Sequence, residues 1–295
     1  MTVERFVLWR RIPLSPRASW RFLFAFCGMG CVVLSGCSRV YNGERLFWKA
    51  QQLSVPIEKD PSHATDEQFA KTIRAFERVT QEAPGTPSAA QAQYYIGTLY
   101  AFRKQYDESR RRYAVVLQNY FPYQPLCSAA RWSIARTYEL EQKWDLAVRA
   151  YREVAEYHPW SQLGLQVPLY VAAGYQKRDD PERAQETYQY AVKWYNRLVA
   201  NAPSEESATQ VEGFLVLAYQ KLGQWNNTIR LLEKLTSTPR GGTNRPLLLL
   251  NLGTIYQMKL GNPERARGAY VKLIREFPDH PFTKIAKSHL EKIGP

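Results

Sequence analysis

Four cysteines and four histidines are the side chains of this 295-residue sequence best suited to nucleophilic or metal chemistry. His63, His158, His280 and His289 are scattered, and neither H-x-x-x-H nor H-E-x-x-H occurs, so their spacing offers no zinc site. No G-x-S-x-G elbow, G-x-G-x-x-G turn or Walker loop is present, and Gly241-Gly242 after Pro239-Arg240 reads as a turn. Acidic pairs such as Asp179-Asp180 and Glu205-Glu206 stand where helices would begin, a place that favours acids for dipole reasons. Cys127 has no Cys-x-x-Cys partner and reads as a small buried residue. No enzyme activity, metal or cofactor is expected.

Cys37 is different. Five arginines lie between Arg5 and Arg21, and Glu4 is the only acid among residues 1–36. A run of apolar and small residues, Phe22 to Leu34, follows. It is too short to cross a bilayer core comfortably and has the length of a signal-peptide apolar region. It ends in Leu34-Ser35-Gly36-Cys37, which resembles a bacterial lipobox. The resemblance implies recognition of Leu34, Ser35 and Gly36 by lipoprotein signal peptidase, a diacylglyceryl group on the Cys37 thiol, cleavage before Cys37 and acylation of the new N-terminus. Several acyl chains anchor stably where one is marginal. Cys27 and Cys31 lie in the removed segment, so the remainder could form no internal disulfide and must hold itself by packing. Ser38 follows the anchor cysteine; the absence of aspartate there favours the outer membrane, facing the periplasm, with the outer leaflet of the inner membrane as the alternative.

What would be displayed on such an anchor is a repeat array. The stretches YYIGTLYAFRKQYDES, WSIARTYELEQKWDLA, FLVLAYQKLGQWNNT and LNLGTIYQMKLGNPERA share one layout. Their recurring tyrosines, with Tyr175 between, are Tyr100, Tyr138, Tyr175, Tyr219 and Tyr256, at spacings of 38, 37, 44 and 37. The long spacing exceeds its neighbours by about two turns of helix, so register survives it. Composition agrees with a packed chain: 45% hydrophobic and 23% charged residues exclude wholesale disorder, and 16 Gly with 18 Pro exclude a collagenous sequence.

The layout resembles the tetratricopeptide repeat. Ile96-Gly97 and Leu252-Gly253 match its L-G step, with Ile134-Ala135 and Leu215-Val216 as looser versions. Tyr106, Trp144 and Trp225 fill the aromatic after the turn. Ala147 and Ala184, with Ser109 and Thr228 as small substitutes, fill the helix crossing. Tyr113, Tyr151, Tyr188 and Tyr270 fill the second-helix aromatic, and Pro84, Pro159, Pro203 and Pro278 close repeats. The resemblance implies an all-α, right-handed superhelical solenoid of helix pairs, in which these aromatics are core. The expected organisation is a signal peptide over 1–36, a tether over 37–42, an irregular first repeat over 43–84, the array over 85–278 and a capping helix over 279–295. Within the first repeat we expect a helix over 43–54, a loop around Pro56 to Asp66, and a capping box Thr65-x-x-Gln68 opening a helix over Glu67–Glu82. Phe282-x-x-Ile285-x-x-x-His289-Leu290 reads as an amphipathic last helix with Lys284, Lys287 and Lys292 outside.

In repeats of this kind the first helix of each pair lines an inner groove. Gln176, Gln220 and Gln257 each follow a motif tyrosine, with Lys177 and Lys221 beside two of them. Trp132, Arg136, Tyr170, Phe214 and Asn251 fall on the same side. Glutamine ladders with interleaved aromatics suit a peptide, through backbone hydrogen bonds and apolar anchors. Of the chain's net charge of +13, residues 1–36 hold five arginines against one glutamate, leaving +9 beyond them. Basic residues cluster at Arg110-Arg111-Arg112 and over Lys259–Arg275, suiting lipid headgroups, acidic wall polymers or an acidic protein; nucleic acid is not expected.

In overall plan, a lipobox followed by about five repeats, a Pro84-to-Ala89 entry and a lengthened repeat opened by Asp180-Pro181-x-x-Ala184, the chain is similar to the outer-membrane assembly lipoproteins of the BamD family. That resemblance implies a scaffold binding unfolded barrel precursors or partner subunits. The alternative is the set of tetratricopeptide lipoproteins that support pilus secretins, polysaccharide export or cell-wall and division complexes.

Overall fold

The computed structural model describes residues 30–237 and 245–294, with side chains from residue 38 onward. Residues 1–29 of the signal segment, the lipobox side chains including Cys37, and the Gly241-Gly242 turn lie outside what is described. Thirteen α-helices and no strand occur among the described residues. They run in antiparallel pairs: α1 (Gly30–Lys59) with α2 (Asp66–Glu82), α3 (Pro87–Phe102) with α4 (Tyr106–Asn119), α5 (Gln124–Leu140) with α6 (Trp144–Tyr157) and α7 (Gln162–Gln176) with α8 (Pro181–Ala200). The pairs α9 (Glu205–Lys221) with α10 (Trp225–Ser237) and α11 (Arg245–Met258) with α12 (Pro263–Glu276) follow, and α13 (Pro281–Ile293) closes the array. Each helix packs on the next, so the result is a helical repeat solenoid with a core distributed along its length.

The motif tyrosine ends each first helix by one mechanism. Its carbonyl accepts the N–H of Gln105, Lys143, Asp180 or Gln224, five residues on, at 2.9–3.1 Å, and in the last pair that of Asn262, six residues on. The chain reverses through one left-handed residue each time: Lys104, Asp179, Gln142, Gly223 or Gly261. Second helices then start on the residues read as the aromatic after the turn, Tyr106, Trp144 and Trp225. The long spacing between Tyr175 and Tyr219 resides mostly in α8, which has 20 residues where α4, α6 and α12 have 14.

Packing inside the pairs follows the repeat reading. Ala147, Ser109 and Thr228 are fully buried, Ala184 nearly so, and Tyr151 and Tyr270 are fully buried. The glycine of the L-G step is required by a close approach. A Cβ on Gly97 would sit 2.7 Å from the Tyr113 ring, and one on Gly253 would sit 2.4 Å from the Tyr270 ring. Three residues before each motif tyrosine stand Gly97, Ala135, Ala172, Val216 and Gly253; the second-helix residues in the matching register are Tyr113, Tyr151, Tyr188, Leu232 and Tyr270. A small residue thus accompanies tyrosine, and valine accompanies the smaller leucine. Volume is conserved at the crossing.

The ends depart from expectation. α1 is continuous through 37–42 and past Pro56 to Lys59, so no break precedes residue 43 and the loop is confined to residues 60–65. Pro56 lies in the last turn, on the exposed side, where the carbonyl it leaves unpaired can reach water. The capping box is present: Thr65 Oγ1 accepts the Gln68 N–H at 3.2 Å and Gln68 Oε1 accepts the Thr65 N–H at 2.7 Å. In α13, Ile285 is 44% exposed and Ala286 takes the buried place beside Thr283, because the last helix lies close on α12. Phe282 and Leu290 pack inward as read, and Lys284, Lys287 and Lys292 are exposed.

Candidate functional site

First helices pack on one another from α1 through α3, α5 and α7 to α9, and α11 packs on α13. Among the described residues α9 and α11 make no such approach and are joined through α10. The wall formed by the first helices therefore has two stretches. Trp132, Arg136, Tyr170, Gln176, Lys177, Phe214, Gln220 and Lys221 belong to the first; Asn251 and Gln257 belong to the second.

Three of these residues come together with the motif aromatic Tyr151 and with Glu139, which spacing did not single out. Arg136 of α5 donates to the Tyr170 hydroxyl of α7 at 2.9 Å and pairs with Glu139 at 2.7 Å. Glu139 also accepts the hydroxyls of Tyr170, at 2.8 Å, and of Tyr151, at 2.9 Å. The Trp132 ring lies 4.8 Å from Tyr151 and 5.0 Å from Tyr170. One carboxylate thus ties two first helices and one second helix, leaving the Arg136 side chain 35% exposed on the wall. Phe214 is likewise half-buried, its ring 5.9 Å from Tyr195. Trp132, Tyr170 and Phe214 are therefore core edges as well as surface. Their rings are held rigidly, which lowers the entropy a ligand contact costs.

Burial raises the Glu139 carboxyl, but the hydrogen bond and charge of Arg136 and the two tyrosine hydroxyls outweigh it and hold the group below the usual glutamate value. Glu141 and Glu108 are depressed in the same way, by Lys143 and Arg110 and by Arg112 and Arg111 respectively. A depressed carboxylate contributes stability that is complete above its unfolded pKa and is lost as pH falls through the lower folded value. Melting temperature should therefore drop as pH falls below the ordinary glutamate value of 4.5, and Glu139→Gln should show a shallower drop. Parallel acid profiles for the two proteins would remove Glu139 from this role.

Two of the three glutamines are used internally. Gln176 Oε1 accepts the Tyr188 hydroxyl at 3.2 Å, and Gln257 Oε1 accepts the Tyr270 hydroxyl at 2.9 Å while lying 2.8 Å from His289 Nδ1. Repeat packing does employ this position, contrary to the expectation from spacing. Glu139, one residue after Tyr138, is its acidic version. The signal was available in three repeats: a polar residue 12 or 13 positions before Tyr151, Tyr188 and Tyr270, with Ala101 in that place before Tyr113. Gln220 faces the register of Leu232, which has no hydroxyl to satisfy. Lys177 and Lys221 are exposed at the ends of α7 and α9.

The basic clusters are partly spoken for. Arg110 pairs with Asp107, and with Glu141 at 2.5 Å, and its guanidinium lies 4.2 Å from the Tyr138 ring centroid. Arg111 and Arg112 pair with Glu108, and Arg112 also with Glu77. In the second cluster Lys259 lies over Trp225, Arg265 donates to the Tyr256 hydroxyl, Arg267 to the Gly294 carbonyl and Lys272 to the Thr236 carbonyl. Cys127 is 4% exposed and its thiol is raised by burial. Among the described residues no group of three or more His, Cys, Asp or Glu could hold a metal ion, and no helix is long and apolar enough to cross a membrane.

Residues 97–159 and 248–280 match tetratricopeptide repeat family profiles, and no curated protein matches the chain at a significant level. Solved structures with similar folds include a thermophilic TPR protein of Thermus thermophilus, 17% identical over 70% of this chain and 98% of that one, with a TM-score of 0.43. BtubC of P. vanneervenii is 14% identical over 82% and 90%, with a TM-score of 0.40. YrrB, described as a TPR protein with an unusual peptide-binding site, is 16% identical over 73% and 99%, with a TM-score of 0.38. Residues 97–159 and 248–280 thus carry tetratricopeptide repeats, and such repeats serve as protein–protein interaction scaffolds.

Proposed function

We propose that this chain of tetratricopeptide repeats is a lipid-anchored, non-catalytic scaffold of the bacterial envelope. In this reading Cys37 carries the anchor at the outer membrane, and the inner wall from α5 to α9 holds a segment of another envelope protein. The observation that carries the binding role is the Trp132–Arg136–Tyr170 group with Phe214 beyond it: rigid aromatic edges and one half-exposed cation on one wall. Aromatic and arginine side chains of this kind dominate binding energy in protein interfaces. The plan of lipobox and repeats favours outer-membrane protein assembly, with unfolded barrel segments or partner subunits as ligands.

The test is in-membrane crosslinking from Phe214, Arg136 and, on α11, Asn251. Recovery of a barrel protein supports the reading. Recovery of a pilus secretin, a polysaccharide-export component or glycan-synthesis proteins transfers the scaffold to the alternative machines. Adducts that form only from α11 positions such as Asn251 would put the binding wall elsewhere. The anchor has its own check: Cys37→Ser should leave an uncleaved precursor that takes up no radioactive fatty acid. Normal processing and acylation of that variant would end the lipobox assignment.

A further inference from the structure

The outer face of α1 carries large apolar side chains that the array leaves uncovered. Tyr41 is 69% exposed, Trp48 60% and Val55 37%, while Leu46, Ala50 and Ile57 on the opposite side are buried against α2 and α3. The exposed three follow Cys37 by 4, 11 and 18 residues. At about 100° per residue, all four backbone positions lie within roughly 40° of one line along the helix. The helix is unbroken from Gly30 to Lys59, so the line that starts at Cys37 runs straight down the uncovered face. Lys59 is exposed on this line and Arg45 beside it, Glu44 lies within about 20° of it, and Lys49 stands about 120° round the helix from Cys37.

We propose that this face lies in the membrane interface, with α1 flat against the lipid headgroups and the remaining helices carried on its far side. The inference rests on the anchor reading of Cys37, because acyl chains at that residue turn the same side of the helix toward the bilayer. The chemistry fits a lipid surface. Tryptophan and tyrosine place an amphipathic ring at headgroup level, and flanking lysine and arginine meet anionic phosphates. A flat first helix fixes the direction in which the solenoid leaves the membrane, which an anchor on a loose tether would not.

The experiment is photo-crosslinking in membranes of a Gram-negative host. A benzoylphenylalanine replaces Trp48, Tyr41 or, as a control, the exposed Tyr190 of α8, a helix that packs on α7 and α9 and not on α1, in the full chain. Acylation of Cys37 is followed in the same cells with radioactive palmitate. Replacement at these exposed positions leaves the packed face of each helix intact. Phospholipid adducts from positions 48 and 41, with none from 190, are the expected result. With Cys37 acylated, adducts to another copy or to a different protein, or no adduct at all, overturn the interfacial face and leave the anchor standing. Lipid adducts without palmitate label would sustain the face and remove the anchor. Neither adduct nor label would remove both.

Discussion

Gly253→Val should destabilise the C-terminal end of the array sharply, and adding Tyr270→Leu should cost far less there than it costs the wild type. The valine Cβ would sit 2.4 Å from a ring that is itself fully buried, so neither partner can move without disturbing Leu249, Leu252 or Leu273. Overpacking of this kind costs about 1–3 kcal/mol and occasionally more; a branched side chain against a locked ring belongs at the upper end. Tyr270→Leu alone removes ring volume and the hydroxyl donated to Gln257, at a cost of about 2 kcal/mol. The double variant imports the Val216–Leu232 combination found in the preceding pair. Its loss should be smaller than the sum of the single losses by about 1–3 kcal/mol. Urea melts of the four proteins measure this coupling. Additive losses would mean that the small-residue and tyrosine positions do not share one crossing.

That crossing shows how much of the fold could be read in advance. The recurring tyrosines, the small residues and the second-helix aromatics all report packing, and packing obeys a period, so the helix pairs emerged from spacing alone. The turns were harder. Lys104, Gln142 and Asp179 adopt the left-handed conformation that glycine takes at 223 and 261. At about 1–2 kcal/mol each for a side chain in that region, they are held there by the hydrogen bond to the motif tyrosine carbonyl and not by residue type. Proline misled at the start of the array. Pro56 reads as a stop, yet α1 runs over it, and Pro168 sits inside α7, because tertiary packing keeps both helices in line. The site was half legible. Trp132, Arg136 and Tyr170 were placed on one wall by helical register. Glu139, which binds them together, was hidden because it occupies a position read as a partner-facing glutamine in other repeats.

Glu139→Ala should be the most damaging single change on the wall proposed to bind a partner. The carboxylate satisfies Arg136 at 2.7 Å, Tyr170 at 2.8 Å and Tyr151 at 2.9 Å, and its own side chain is only 17% exposed. Water can reach Arg136 once the carboxylate is gone, since a third of that side chain is already exposed. It reaches Tyr151 poorly, because that residue is fully buried. Breaking a well-buried pair costs about 3–5 kcal/mol; with Arg136 able to rehydrate, a loss of about 2–4 kcal/mol is expected. Gln176→Ala is the comparison: it removes one neutral acceptor from Tyr188 at an exposed position and should cost only about 0.5–1.5 kcal/mol. Glu139→Gln, which keeps an acceptor but no charge, should fall between them. Because α5 and α7 are joined through this carboxylate, hydrogen exchange should quicken first at the facing ends of those two helices and spread outward along the array. Partner crosslinking from Phe214, one first helix further on, should weaken in step with that loosening. If Glu139→Ala melts with the wild type and crosslinks as well, the wall does not depend on this carboxylate, and Trp132 and Tyr170 are held by ring packing alone.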